Sequence, residues 1–313
     1  MPRILTVALN PAIDVSSEAD SVRTSHKVRT YNETYDPGGG GVNVARVVTE
    51  LGGDVEVLYL AGGATGTLLG ELLDRNRIRR QLIRIAGNTR ISFTVQERST
   101  GREFRFVGNG PTVDATELGA CLDAIRASDF NYLVASGSLP IGVPPDTFAI
   151  LAGIAAAKGA RFVLDSSGLG LSETLKHGPV FLVKPSLNEL EQLVGHALDR
   201  QAAEDAAMDL VKRGAAEMVA VTMGEDGVVL ASKDGILSEP ALKVEARSTV
   251  GAGDSFLAAL TLGLAGGRAL GDALLFGVAA GAAAVLQPGT KLCTRFNTLR
   301  LYDEAMRSRV ASA

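Results

Sequence analysis

Short runs of nearly unbroken apolar residues punctuate the chain at Ile4 to Leu9, Val55 to Leu60, Tyr132 to Ala135, Phe162 to Leu164, Phe181 to Val183 and Met218 to Val221. Between them apolar positions recur at helical spacing, as at Val44, Val47, Val48 and Leu51. Runs without alternation are strands buried on both faces, and their interleaving with helices predicts an α/β fold with a mainly parallel sheet. Ligands of such sheets gather beyond the strands' carboxyl ends, where Asp14, Ser136, Asp165, Lys184 and Thr222 stand. No internal repeat, low-complexity stretch or Pro/Ser-rich linker breaks the rhythm, so residues 1–313 are expected to form one domain.

One region follows a different period. Arg90 to Glu97 and Glu103 to Val107 alternate with period two around the turn sequence Arg98-Ser-Thr-Gly-Arg102, which predicts a hairpin. Ile91, Phe93 and Val95 share one face; Arg90, Ser92, Thr94 and Gln96 share the other, and Arg105 opposes Phe104 and Phe106. Such a ribbon has no core of its own, so another sheet is expected to cover its apolar face.

Two glycine-rich junctions carry the candidate chemistry. In Ser248-Thr-Val-Gly-Ala-Gly-Asp-Ser-Phe256, just ahead of an apolar helical run, Gly251 and Gly253 permit a tight turn and close approach. The amides of Gly251, Ala252 and Gly253 would stabilise an anion at the helix start. Asp254 lies among them, either as a general base in phosphoryl transfer or as an N-terminal capping residue. In Asp36-Pro-Gly-Gly-Gly-Gly-Val-Asn43, four consecutive glycines are costly to order, which implies close approach to that backbone. The glycine amides and the Asn43 amide suit sugar hydroxyls. No Gly-Lys-Ser/Thr sequence occurs, so a nucleotide would need a cradle other than the Walker loop.

Composition narrows the picture further. A net charge of −4 over 313 residues, with no basic stripe, argues against nucleic acid as a partner. Cys121 and Cys293 show no metal or disulfide spacing and read as buried free thiols. No run of 18 apolar residues and no signal-like start appear, so no membrane is expected and a cytoplasmic enzyme is. His26, His177 and His196 form no constellation with an acid or nucleophile.

Five segments stand in the order found in the ribokinase-type (PfkB) carbohydrate kinases: Asn10-Pro-Ala-Ile-Asp14, the Gly38 to Gly41 run with Asn43, Ser136-Gly-Ser-Leu-Pro140, Val183-Lys-Pro185 with Glu189, and Val250-Gly-Ala-Gly-Asp254. The chain resembles that family over nearly its whole length. Ala61-Gly-Gly-Ala-Thr-Gly66, Phe104-Arg-Phe-Val107 and Phe276-Gly-Val-Ala-Ala-Gly281 make it most similar to the family's minor type of ATP-dependent 6-phosphofructokinase. The resemblance implies a ribokinase-like, three-layer Rossmann-type domain with a small β-sheet lid drawn from about residues 15–36 and 90–107, often clasping its twin in a homodimer.

It also implies roles. Asp254 would be the base and Gly251, Ala252 and Gly253 the anion hole, with MgATP as donor and fructose 6-phosphate accepting at its C1 hydroxyl. Tagatose 6-phosphate and fructose 1-phosphate are alternative acceptors, and a non-catalytic sugar-phosphate sensor is a more distant reading. Asp14, Gly39, Gly40 and Asn43 would hold sugar hydroxyls, while Lys27, Arg90, Arg105 and Ser138 would serve the sugar phosphate. Lys184, Ser186, Thr222, Gly224, Gly227, Val278 and Ala282 would line the nucleotide, and Glu189 would hold Mg²⁺ through water. A K⁺ site would draw on Ser248, Val250, Ala284, Gln287, Gly289 and Lys291. Three positions depart from the family pattern: Ser186 stands where Asn is usual, Gln287 where relatives have Asn, and Lys291 where they have Arg.

Overall fold

In the computed structural model, which describes residues 2–178 and 180–312, the apolar runs become strands. In chain order the elements are β1 (Ile4–Ala8), β2 (Ala12–Ala19), β3 (Tyr31–Gly38), α1 (Gly40–Glu50), β4 (Val55–Ala61), α2 (Gly63–Arg75), β5 (Arg80–Arg84), β6 (Arg90–Glu97) and β7 (Glu103–Val107). They continue with α3 (Ala115–Ala127), β8 (Tyr132–Ser136), α4 (Thr147–Ala157), β9 (Arg161–Asp165), α5 (Gly168–His177), β10 (Val180–Val183), α6 (Leu187–Val194) and α7 (Arg200–Lys212). The last are β11 (Ala216–Thr222), β12 (Val228–Ser232), β13 (Gly235–Glu239), α8 (Ala252–Ala265), α9 (Leu270–Val285) and α10 (Arg295–Ser312).

Nine strands form the main sheet in the order β13-β12-β11-β10-β9-β8-β1-β4-β5. All neighbours from β5 to β11 pair in parallel, and only β12 and β13 run antiparallel. Strand side chains feed two separate cores. Ile4 and Ala8 join Val44, Val48, Phe256 and Leu260 beneath α1, α8 and α9. Leu5 and Val7 join Leu118, Leu151, Leu171 and Leu210 beneath α3, α4, α5 and α7. Burial on both faces explains why these strands read as continuous apolar runs. The apolar pattern did not single out β5, β12 and β13: β5 and β13 lie at the sheet's edges, where no residue is fully buried and polar residues intervene.

The second sheet has the order β3-β2-β6-β7, with β2 and β6 parallel and the outer pairs antiparallel. It contains the expected hairpin, and its other two strands, β2 and β3, span Ala12 to Gly38 around the segment expected at about residues 15–36, because the chain enters this sheet directly after β1. Register aligns Asp36, Asp14 and Ser92, with Thr94 and Arg105 one step along, on one face. Tyr35, Val15, Phe93 and Phe106 line up on the other. That apolar face, expected to be covered, is open in the single chain: Tyr35, Phe93 and Phe106 are 49%, 47% and 59% exposed.

Helices α8 and α9 are apolar almost all round because both lie inside the layer. Gly277 lets α9 press on Phe256 of α8, where an added Cβ would sit 3.0 Å from the ring. Gly281 approaches the Ala252 carbonyl in the same way, at 3.3 Å. The helix that begins with the Gly251 loop is thus clamped along its length. Among the described residues no helix is long and apolar enough to cross a membrane, and Cys121 and Cys293 are both buried and unpaired.

Candidate active site

Gly251 caps α8 with φ 72°, a left-handed conformation that favours glycine, and a side chain there would collide with Leu292. The turn leaves Asp254 in the first helical turn, next to amides that have no intrahelical partner. Its carboxyl is pushed up to about 6, first by burial and then by the Asp165 charge, against the opposing pull of Asn43 and Lys184. Asp254 is not the cap, a position Gly251 holds without a side-chain bond; its Oδ2 instead accepts from Asn43 Nδ2 at 2.9 Å. A carboxylate that titrates near neutrality beside such amides can take a proton from a hydroxyl while the amides face an anion.

Lys184 follows β10 and is buried, with Nζ 3.0 Å from Asp165 Oδ1 at the end of β9. A Cβ on Gly253 would lie 3.5 Å from that ammonium, so the cation borders the Gly251–Gly253 turn itself. Burial disfavours its charge, but Asp165, Glu189 and Asp254 outweigh this and hold its pKa above the ordinary lysine value. Ser136 Oγ donates to the other Asp165 oxygen at 3.3 Å. Asp165 is a site residue to which the sequence assigned only a strand-end position; its signal was a lone acid directly after an apolar run.

The four-glycine run is crowded by the protein itself. A side chain on Gly38 would strike the Asp14 carboxylate, one on Gly40 the Ser136 hydroxyl, and one on Gly41 the Val7 carbonyl. Gly39, at φ 92°, would meet Pro11 Cα at 2.9 Å. The close approach inferred from the glycines is thus made by β1, β2 and β8 rather than by a ligand alone. It brings Asp14, Gly39, Gly40, Asn43 and Asp254 to one junction. Burial raises the Asp14 pKa, and Arg46, Arg105 and Arg90 oppose that rise. Arg46, which sequence reasoning did not select, lies on α1 and donates to Asp36, Pro37 and Asn43.

The lid's charged face closes over this junction. Arg90 spends its two terminal nitrogens on the Asn10 and Gly108 carbonyls, each at 2.9 Å, and leaves Nε buried without a partner. Asn10 in turn donates to Ser138 Oγ at 3.2 Å and to the Asn109 carbonyl at 3.0 Å. Arg105 is half-exposed on the same face. Lys27 does not join the cluster: it is exposed in the loop between β2 and β3.

On the other side of Asp254, Ser186 is the N-cap of α6 in a capping box with Glu189. Its Oγ accepts from the Glu189 amide at 3.3 Å, and its own amide donates to Glu189 Oε2 at 2.7 Å. A serine can occupy the family's asparagine position because either residue caps a helix. Thr222 ends β11 and bridges to Ser186; the turn at Gly224–Asp226 follows, and Gly227, at φ 87°, lies against the Glu239 carbonyl. Val278 and Ala282 lie on α9, Val278 buried in the core beneath the sheet and Ala282 partly buried against it. The Ser248 and Ala284 segments meet where the Arg247 amide donates to the Val285 carbonyl at 2.9 Å. Three contacts tie the lid to those loops: Ser248 Oγ donates to Glu103 at 3.1 Å, Thr290 Oγ1 to Asp36 at 3.0 Å, and Gly289 abuts Ser16.

A clamped helix start with a carboxylate among its amides, set where a parallel sheet's strand ends meet a lid, is the architecture of a phosphotransferase with an alcohol acceptor. Residues 4–297 match the profile of the pfkB family carbohydrate kinases, and the chain belongs to that family. It is 42% identical over 307 residues to the ATP-dependent 6-phosphofructokinase isozyme 2 of Mycobacterium tuberculosis, covering 97% of this chain and 90% of that one. The crystal structure of phosphofructokinase-2 from Escherichia coli in complex with potassium superposes with a TM-score of 0.94 at 35% identity, over 98% of this chain and 100% of that one. The same enzyme in complex with fructose-6-phosphate gives 0.92 at 34% identity, over 97% and 99%. The fold is accordingly ribokinase-like, and the chain is an ATP-dependent kinase.

Proposed function

We propose that the protein transfers the γ-phosphoryl group of MgATP to the C1 hydroxyl of fructose 6-phosphate. The sugar oxygen bonds to the γ-phosphorus as the bond to the ADP oxygen breaks, and the hydroxyl proton passes to Asp254. The observation that carries this reading is the Asp254 carboxyl, pushed up to about 6 and held by Asn43 at 2.9 Å beside the amides of Gly251, Ala252 and Gly253. Lys184, adjacent to Gly253, would offset charge on the phosphoryl group as it moves. Asp14 and the Gly39–Gly40 backbone would hold the sugar hydroxyls; Arg90, Arg105 and Ser138 would serve its phosphate, and Lys27 would reach it only if its loop folds inward.

Ser186, Thr222, Gly224, Gly227, Val278 and Ala282 would line the nucleotide. Mg²⁺ on the nucleotide supplies charge neutralisation across the phosphates. Glu189 fits a water-mediated role there, since the capping box uses Oε2 and leaves Oε1 free of the Ser186 amide. Backbone oxygens around Ser248 and Val250, with those of Ala284, Gln287, Gly289 and Lys291, would be the hard donors of a K⁺ site, a reading that the potassium complex of the Escherichia coli relative supports. A homodimer through the lid would cover Tyr35, Phe93 and Phe106. A cytoplasmic setting, where thiols stay reduced, suits the two unpaired cysteines.

A panel of hexose phosphates assayed with MgATP for ADP release tests the reading. Fructose 6-phosphate should give the highest kcat/KM. Preference for tagatose 6-phosphate or fructose 1-phosphate would reassign the acceptor, and no sugar-dependent ADP at all would leave a sensor.

A further inference from the structure

Asn43 touches Asp254 through one end of its amide, and the other end is also engaged. Asn43 Nδ2 donates to Asp254 Oδ2 at 2.9 Å, while Asn43 Oδ1 accepts from Arg46 Nη1 at 3.3 Å. Arg46 stands one turn later on α1, with its side chain 11% exposed. Nη1 also donates to the Pro37 carbonyl at 2.8 Å, and Nη2 pairs with Asp36 Oδ1 at 3.2 Å. The second Asp36 oxygen accepts from Thr290 Oγ1 at 3.0 Å. A continuous chain of hydrogen bonds therefore runs from the loop at Thr290, through lid strand β3, to Arg46, Asn43 and the carboxylate.

A primary amide can present either its donor or its acceptor end. Facing an ionised carboxylate, the donor end is favoured without help. Once that carboxylate has taken a proton, its O–H would bond as readily to the amide oxygen, and the amide would turn over. A guanidinium on Oδ1 blocks this reversal, because a flipped amide would direct N–H against N–H at Arg46.

We propose that Arg46 is a positioning residue for the base: anchored by Asp36 and Thr290, it keeps the Asn43 N–H aimed at Asp254 in both protonation states, so that lid strand β3 helps set the base's geometry. The inference rests on reading Asp254 as the base. Arg46 is not the only charge that Asp254 meets: Asp165 from β9, Lys184 after β10 and Asp14 from β2 face it too. Of these groups, Arg46 is the one that binds Asn43. The competing view is that the Arg46–Asp36 pair merely fastens α1 to the lid.

The test compares Arg46→Met, Arg46→Lys and Asp36→Asn in the full-length chain. For Arg46→Met, kcat with fructose 6-phosphate at pH 7 should fall about tenfold or more, with the acid limb of kcat displaced upward by about one pH unit and the MgATP KM within about twofold. Arg46→Lys, which retains the charge and can reach one acceptor, should fall between it and the parent. Asp36→Asn should move the limb the same way by less. Independently of turnover, the ¹³C carboxyl titration of Asp254 in the ligand-free chain, assigned by its loss in Asp254→Asn, should shift upward with the kinetic limb. A rate loss equal at every pH with the Asp254 titration unmoved, in variants whose melting shows them folded, would overturn the proposal. Should Arg46→Met fail to fold, Asp36→Asn decides by the same two readouts. A parent chain that turns over no sugar phosphate would end the functional reading instead, and the titration alone would then decide the role of Arg46.

Discussion

Replacing Asp254 by Asn should damage the enzyme and strengthen the fold at once. The folded carboxyl titrates at about 6, whereas an unperturbed one titrates at 3.8. Between those values the native state holds the proton more tightly than the unfolded chain, so stability is full at low pH and declines as pH rises through 6. At pH 7 the ionised carboxylate then costs about 3 kcal/mol as an upper figure, and at pH 4.5 about 1 kcal/mol. Asn keeps the shape and can still accept from Asn43, so the variant should recover most of that cost. Calorimetry should show melting raised by a few degrees at pH 7, with the gain shrinking to about a third at pH 4.5. Turnover, followed as ADP release with fructose 6-phosphate, should fall about 10²- to 10⁴-fold. A melting gain equal at both pH values would refute the electrostatic origin of the shift. A rate loss of only a few-fold would refute the base.

Arg90→Gln should raise the KM for the sugar phosphate about tenfold with the MgATP KM within about twofold, and should lower stability by about 1–3 kcal/mol because the Asn10 and Gly108 carbonyls lose charge-assisted bonds; an effect confined to the MgATP KM would place Arg90 wrongly. Phe93→Asp combined with Phe106→Asp should convert a dimer to monomers in sedimentation velocity, since both side chains occupy the open lid face. A parent chain that already sediments as a monomer at micromolar concentration would contradict that surface assignment. Ser186→Ala should cost about 1 kcal/mol in denaturant unfolding through loss of the α6 cap and should raise the MgATP KM because the proposed nucleotide lining loses the Ser186 hydroxyl, while the main-chain amide that holds Glu189 Oε2 remains. An unchanged MgATP KM would separate the cap from the nucleotide site.

The strands of the parallel sheet were legible because each is buried on both faces and so carries a period no surface element mimics. The edge strands β5 and β13 were not, since Arg80-Gln-Leu-Ile-Arg84 and Gly235-Ile-Leu-Ser-Glu239 each hold only two adjacent apolar side chains among polar residues and bury none of their residues fully. Asp254 was legible because glycines flank it at a helix start. Arg46 was hidden for the opposite reason. Within Val44-Ala-Arg-Val-Val48 it reads as the polar position of an amphipathic helix, yet α1 has no solvent side there because the lid covers it. Which residue faces solvent depends on what the lid covers, and the only interruption before the chain enters the second sheet at β2 is Leu9-Asn-Pro11, too short to announce a change of sheet. The glycine run was read correctly as a place of close approach, but the agents, Asp14, Ser136 and the Val7 carbonyl, are distant in sequence and have no local signature.

Those distant contacts also determine how the lid and Asp254 relate. Main-sheet strand ends supply Lys184, Asp165 and Ser136 from fixed positions, whereas Asp14, Arg90 and Arg105 ride on a four-stranded sheet with one face open. A sheet of that size gains little stability by itself and depends on what it touches. It touches the Gly251 side of the site at Glu103 with Ser248, at Asp36 with Thr290 and at Ser16 with Gly289, all within the loops that precede α8 or follow α9. Helix α8 has little room to shift in answer, because Gly277 and Gly281 bring α9 close against it. Movement of the lid must therefore be absorbed in the loops around Ser248 and Thr290. On the proposed reading, a sugar that draws Arg90 and Arg105 inward would tighten the loop next to the Gly251–Gly253 amides, and a K⁺ seated on that loop would in turn favour the sugar-bound lid. Because linkage between two binding events is reciprocal, any effect of K⁺ on sugar affinity must equal the effect of sugar on K⁺ affinity. Cutting the Glu103–Ser248 contact should weaken both couplings by the same factor.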